Sequence, residues 1–189
     1  MKRRKLYSRE GEGMYKKLPE IYNHGGTDLK LNVAAYKKLG IKINPLVWDV
    51  LYLYLADYLS VINLCCGDYL KIQQPVCAKG VEKLQKYHQK SSHIVEAILF
   101  PDRIKDVEPQ LLKIKEEARK LDSKLKSDIS HYVNNALHKM GFIIMDAADS
   151  KFPSPISIEH TQKIYDISSQ IITVLEYIRI ELQEQNVGF

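Results

Sequence analysis

Apolar positions recur at steps of three and four through three long stretches, a spacing that predicts amphipathic helices and no strands. Between about Pro75 and Phe100-Pro101, Cys77, Val81, Leu84, His88, Ser91, Val95 and Ile98 alternate four and three without a slip. That is the seam of helices packed side by side. A third helix is expected to open near Asp106, with Pro109 in its first turn. Leu111, Ile114, Ala118, Leu121, Leu125, Ile129 and Tyr132 line it, followed by Val133, Ala136 and Met140. With Gly141 closing it, this helix has about 33 residues and a length of roughly 50 Å. A fourth starts in the Pro153–Ser157 cluster, steps through His160, Ile164, Ile167, Ile171, Val174, Ile178 and Leu182, and frays near Asn186-Val187-Gly188.

The first long helix has a different pattern. Asn44-Pro45 supplies an N-cap followed by proline at the first helical position, and the helix runs to about Gly67–Leu70. Trp48, Leu51, Leu55, Tyr58, Leu59, Ile62 and Cys66 leave it little polar surface. Such a helix belongs in the middle of something: the core of its own chain, or a contact with another. The run Phe142-Ile143-Ile144-Met145 is read either as a cap over the bundle end or as extra turns of the third helix.

Upstream, Asp28 is an expected N-cap for a short helix with Leu29, Val33 and Tyr36 on one face, ended by Gly40. Residues 1–26 are charged and glycine-rich and are read as a flexible basic tail. The expected organisation is all-α: a tail over 1–26, then a helical-bundle domain over 27–189. Its form is an up-down bundle of about four long helices with a short extra N-terminal helix.

Composition and charge narrow this picture. With 189 residues, 45% hydrophobic and 27% charged, the chain suits one globular domain. Residues 1–17 hold Lys2, Arg3, Arg4, Lys5, Arg9, Lys16 and Lys17 against Glu10 and Glu12, so the net charge of +5 belongs to the tail. Three cysteines, Cys65, Cys66 and Cys77, make a poor disulfide framework and contain no Cys-x-x-Cys pair. Buried, reduced thiols in a cytoplasmic protein are expected, or in one delivered from the cytosol without a cleavable signal. The stretch Leu46–Cys66 is long enough to span a bilayer. Asp49, Asp57 and Asn63 would be costly at that depth, so a central bundle helix is the better reading and no membrane partner is expected.

Candidate chemistry is sparse. A di-iron bundle needs paired Glu-x-x-His motifs and two more glutamates; the nearest match is a single Asp128-x-x-His131, and no metal or cofactor is expected. His88 and Ser91 fall on the seam of the second helix, and Asp57 interrupts the apolar first helix. Buried polar groups need partners, so Asp57 is expected to bond to His88 or to a tyrosine hydroxyl. Such a contact would fix helix register or, in the enzymatic or ligand-binding reading, form a polar site inside the bundle. Ala34–Ile41 followed by a helix from Pro45 has the outline of a helix-turn-helix. Leu46, Val47, Trp48 and Asp49 at the start of the second helix are not base-reading residues.

Two surfaces remain. Trp48, Tyr52, Tyr54 and Tyr58 crowd the first helix, and such rings serve well at interfaces. The leading expectation is a non-enzymatic interaction protein (an adaptor, accessory subunit or effector) with a protein partner, a homo-oligomer included. The alternative is a nucleic-acid-associated accessory protein. Its tail, with Lys37 and Lys38, would follow a phosphate backbone.

Overall fold

The computed structural model describes residue 47 and residues 51–103, 109–148 and 154–183, and among these the chain is all-α, with no strand. The tail, the expected short helix, Trp48 and the helix-turn-helix outline lie outside the described residues.

A π-helical turn over Leu51–Leu55 leads into α1, Ala56–Lys71. The chain then reverses through Gln73, which adopts a φ of 53°. The left-handed region is sparsely used by side chains other than glycine, and here Gln73 is held by its amide and its Nε2, both donating to the Leu70 carbonyl. Pro75 follows, and α2 spans Ala78–Leu99. After α2 come α3 over Pro109–Arg119 and α4 over Ser123–Asp128. A π-helical segment over Ile129–Asn134 and α5 over Asn135–Ala148 continue from α4. The last helix, α6, spans Ile158–Gln183.

The third stretch departs from the expected single helix in three ways. It breaks after Arg119: the amides of Lys120 and Leu121 bond back three residues, and Asp122, in an extended conformation, accepts from the Lys124 amide at 2.8 Å to cap a new helix. Aspartate competes for nearby backbone amides better than it fills a helix interior. The seam concealed this break, because Leu121 and Leu125 both stay buried across it. Next, the buried positions Leu125, Ile129, Val133 and Leu137 step by four each time. In an α-helix that series would rotate off the core, and the wider π turn absorbs the drift, with Asn135 donating to the Ser130 carbonyl. Tyr132 and Ala136, expected on the seam, are therefore only half-buried. Finally, Gly141 does not end the helix. Phe142–Met145 are extra helical turns, and Ile144 and Ala147 are buried.

α1 packs most extensively on α6 and also on α2; α2 meets α3 and α5, and α5 meets α6. The core joins Leu59 and Ile62 of α1, Leu84 and Ile98 of α2, Leu137 and Ile144 of α5, and Ile164 and Ile171 of α6. Asn63 ties α1 to α6: its Nδ2 lies 3.1 Å from the Tyr165 carbonyl, 3.0 Å from Ser168 Oγ and 2.7 Å from Ser169 Oγ. The two loops that enter α2 and α6 are also joined. Val76 and Ile156 exchange backbone hydrogen bonds of 2.9 and 3.1 Å, each just after a proline, so the starts of these helices are held together. The first long helix is not buried on all sides: Leu53 in the π-helical turn and Leu64 in α1 are 56% and 66% exposed.

Candidate functional site

The polar residues singled out on the seams do not converge. His88 and Ser91 are buried, whereas Asp57 is exposed. The expected Asp57–His88 contact is replaced by one between α2 and α5, with His88 Nε2 lying 3.0 Å from the Leu137 carbonyl. A carbonyl only accepts, so Nε2 carries the proton and donates. The ring lies against Gly141, where an added Cβ would fall 2.6 Å from the imidazole Cε1. Burial pushes the His88 pKa down; the Leu137 hydrogen bond pushes it up and nearby His138 adds to the lowering. Ser91 spends its hydroxyl on the Tyr87 carbonyl of its own helix, at 2.8 Å. Neither group has the geometry of a general acid–base pair.

The tyrosines of the first helix face their own chain to a large degree. Tyr52 donates to the Glu176 carboxylate on α6. Tyr54 is half-buried against the core. Tyr58 meets Tyr87 edge-on with centroids 5.8 Å apart, and the Lys90 ammonium sits 5.1 Å from the Tyr58 centroid and 6.0 Å from that of Tyr87.

Cys65 and Cys66 are buried, and burial pushes both thiols up, Cys66 to about 12. Cys77 differs. It stands exposed at the start of α2, and the Tyr69 hydroxyl, 2.9 Å from its Sγ, lowers its pKa, with the Gly80 amide adding to the effect. Asp128 is buried, which raises its pKa against the opposing effect of His131. Among the described residues no group of three or more histidine, cysteine or acidic side chains is placed to hold a metal ion. No described helix is long and apolar enough to cross a membrane.

An open concavity lies between α5 and α6, a groove of about 550 Å³. Ile167 and Val174 of α6 and Ala136 of α5 form its apolar wall, while His131, His138 and Lys139 stand among its polar lining. Phe142 also lines it and is 77% exposed, the most exposed large apolar side chain among the described residues. The π segment shapes this edge. By moving the buried register from Tyr132 to Val133, it leaves His131 exposed and Tyr132 half-buried beside the groove. Met145, 46% exposed, continues the outward face one turn beyond Phe142.

The sequence pattern placed Ile167 and Val174 on a seam, and Phe142 only in a cap or in an extension of the third helix, not at a contact surface. Its signal was present: on a helix carried through Gly141, Phe142 falls on the same face as His138 and opposite the buried positions Met140 and Ile144. No protein-family model, curated protein or solved structure matches the chain.

Proposed function

We propose that this chain is a non-enzymatic interaction module, an up-down helical bundle that acts through protein–protein contacts, and that the α5–α6 groove is the contact it uses. The observation that carries this reading is Phe142, 77% exposed at a groove whose wall includes Ile167 and Val174. Leaving such a ring in water forgoes about 1.5–3 kcal/mol that burial would supply. A well-packed partner residue at such a spot is the usual anchor of an interface. The groove runs along two helices, so it suits the apolar face of a partner helix, from another protein or from a second copy of this chain.

The test compares the wild-type chain with Phe142→Ser. Mass in solution is measured first by sedimentation, then each chain is immobilised and retained proteins are identified. The reading expects self-association, or a specific partner, that the wild type shows and Phe142→Ser loses. Equal mass and identical retained proteins for the two chains would sink it.

A further inference from the structure

The outer face of α2 carries a second periodic pattern, opposite its buried seam. Lys79, Lys83, Lys86 and Lys90 step by four, three and four. At 100° per residue all four fall within an arc of roughly 60°, along about 16 Å of helix, or one ammonium group every 5–6 Å. Lys79, Lys83 and Lys86 are exposed and Lys90 is half-buried.

Several other cations of the described chain are paired with neighbouring acids. Lys71 pairs with Asp68, Lys120 with Glu117, Lys163 with Glu159, and Arg119 with both Asp102 and Glu116. On α2 the nearest acids do not serve. Glu82 precedes Lys86 by one turn, the favourable order for an ion pair, yet no pair forms between them. Glu96 lies beyond the end of the row, and Asp68 of α1 is engaged by Lys71. Lys90 is held in place by the rings of Tyr58 and Tyr87 rather than by a carboxylate. Among the described residues, the face therefore presents four aligned positive charges with no carboxylate paired to them.

We infer that the outer face of α2 binds the phosphate backbone of a nucleic-acid strand, with Lys79, Lys83, Lys86 and Lys90 as its phosphate contacts. Regularly spaced anions favour a linear row of cations over a compact cluster, and flexible lysines suit contacts that carry no base specificity. Tyr58 and Tyr87 act as positioning residues for Lys90. This surface belongs to the body of the protein and is distinct from both the basic N-terminal tail and the α5–α6 groove.

The experiment uses the full chain and a fluorescent single strand of about 20 nucleotides, with affinity measured as salt is raised. Three chains are compared. The first is wild type; the second carries Lys79→Gln, Lys83→Gln, Lys86→Gln and Lys90→Gln. The third carries Gln in place of Lys2, Arg3, Arg4, Lys5 and Arg9. Circular dichroism and a melting curve establish that each is folded. The α2 variant should lose more than about tenfold in affinity at low salt. The slope of log affinity against log salt should flatten by about 3 for four lost contacts. An unchanged affinity and slope in the α2 variant would overturn the inference, as would binding lost in the tail variant alone. Tighter binding of an acidic polypeptide or of phosphatidylserine vesicles than of the strand would also overturn it, assigning the face to a different partner. Phe142→Ser should leave strand binding unchanged, so failure here is separable from failure of the groove.

Discussion

Two helix–helix contacts in this molecule are each organised by one polar side chain, and they are built on opposite principles. Between α1 and α6, Asn63 reaches a carbonyl and two hydroxyls, all uncharged at any ordinary pH. Between α2 and α5, His88 gives one hydrogen bond to the Leu137 carbonyl and fills the space that Gly141 leaves open. The first contact is a matter of hydrogen bonding and tolerates changes of pH. The second is a matter of fit around a titratable ring whose burial disfavours the charged form. One fold thus contains a pH-indifferent junction and a pH-sensitive one.

The largest expected effect breaks the second junction. Gly141→Ala should destabilise the wild type by about 1–3 kcal/mol in chemical denaturation, because the new methyl meets the imidazole. In a His88→Ala background the same substitution should be neutral or stabilising, since alanine favours a helix interior by about 1 kcal/mol over glycine. A stabilising Gly141→Ala in the wild type would show that the close approach does not constrain the fold. Next, Asn63→Ala should cost about 1–2 kcal/mol, with a loss that stays constant between pH 5 and 7.

The pH dependence itself is a smaller effect. Burial lowers the folded pKa of His88 below the ordinary histidine value of about 6.5. The unfolded chain then binds more protons than the folded one as pH falls through that value. The stabilising contribution is complete above the unfolded pKa and is lost as pH falls towards the lowered folded one. Asp128 acts in the opposite sense, since its raised pKa favours the folded state on acidification. The comparison that isolates His88 is therefore wild type against His88→Gln. The urea midpoint of the wild type should fall more between pH 7 and pH 5, and parallel curves would remove the distinction between the two junctions. The smallest effect is at the groove, where Phe142→Ser should change stability by no more than about 0.5 kcal/mol, because the ring is already in water.

Much of the helical layout was legible because the information is local. The seam Val81, Leu84, His88, Ser91, Val95 and Ile98 is buried in the folded chain, and its spacing alone specified one face of a helix. The end of α1 near Leu70 and the Pro-rich entry to α6 followed from turn chemistry that neighbouring residues decide. Less of the candidate site was legible. The lysine row on α2 has the same spacing as the seam, so its periodicity was visible, but the absence of ion pairs along it depends on where Asp68 and Glu82 point. The Val76–Ile156 bridge joins segments eighty residues apart, each no longer than a loop, and carries no local signal.

The sequence by itself determined that the described chain is helical and which faces of its main helices turn inward, because apolar spacing acts within a few turns of one helix. Only the tertiary structure decided the partner of His88, the continuation of the helix through Gly141 and the exposure of Phe142. Each of these depends on a neighbouring helix. An imidazole takes whichever acceptor packing brings to it. A glycine ends a helix or admits a side chain according to what lies against it. An apolar ring is core or contact surface according to whether another element covers it.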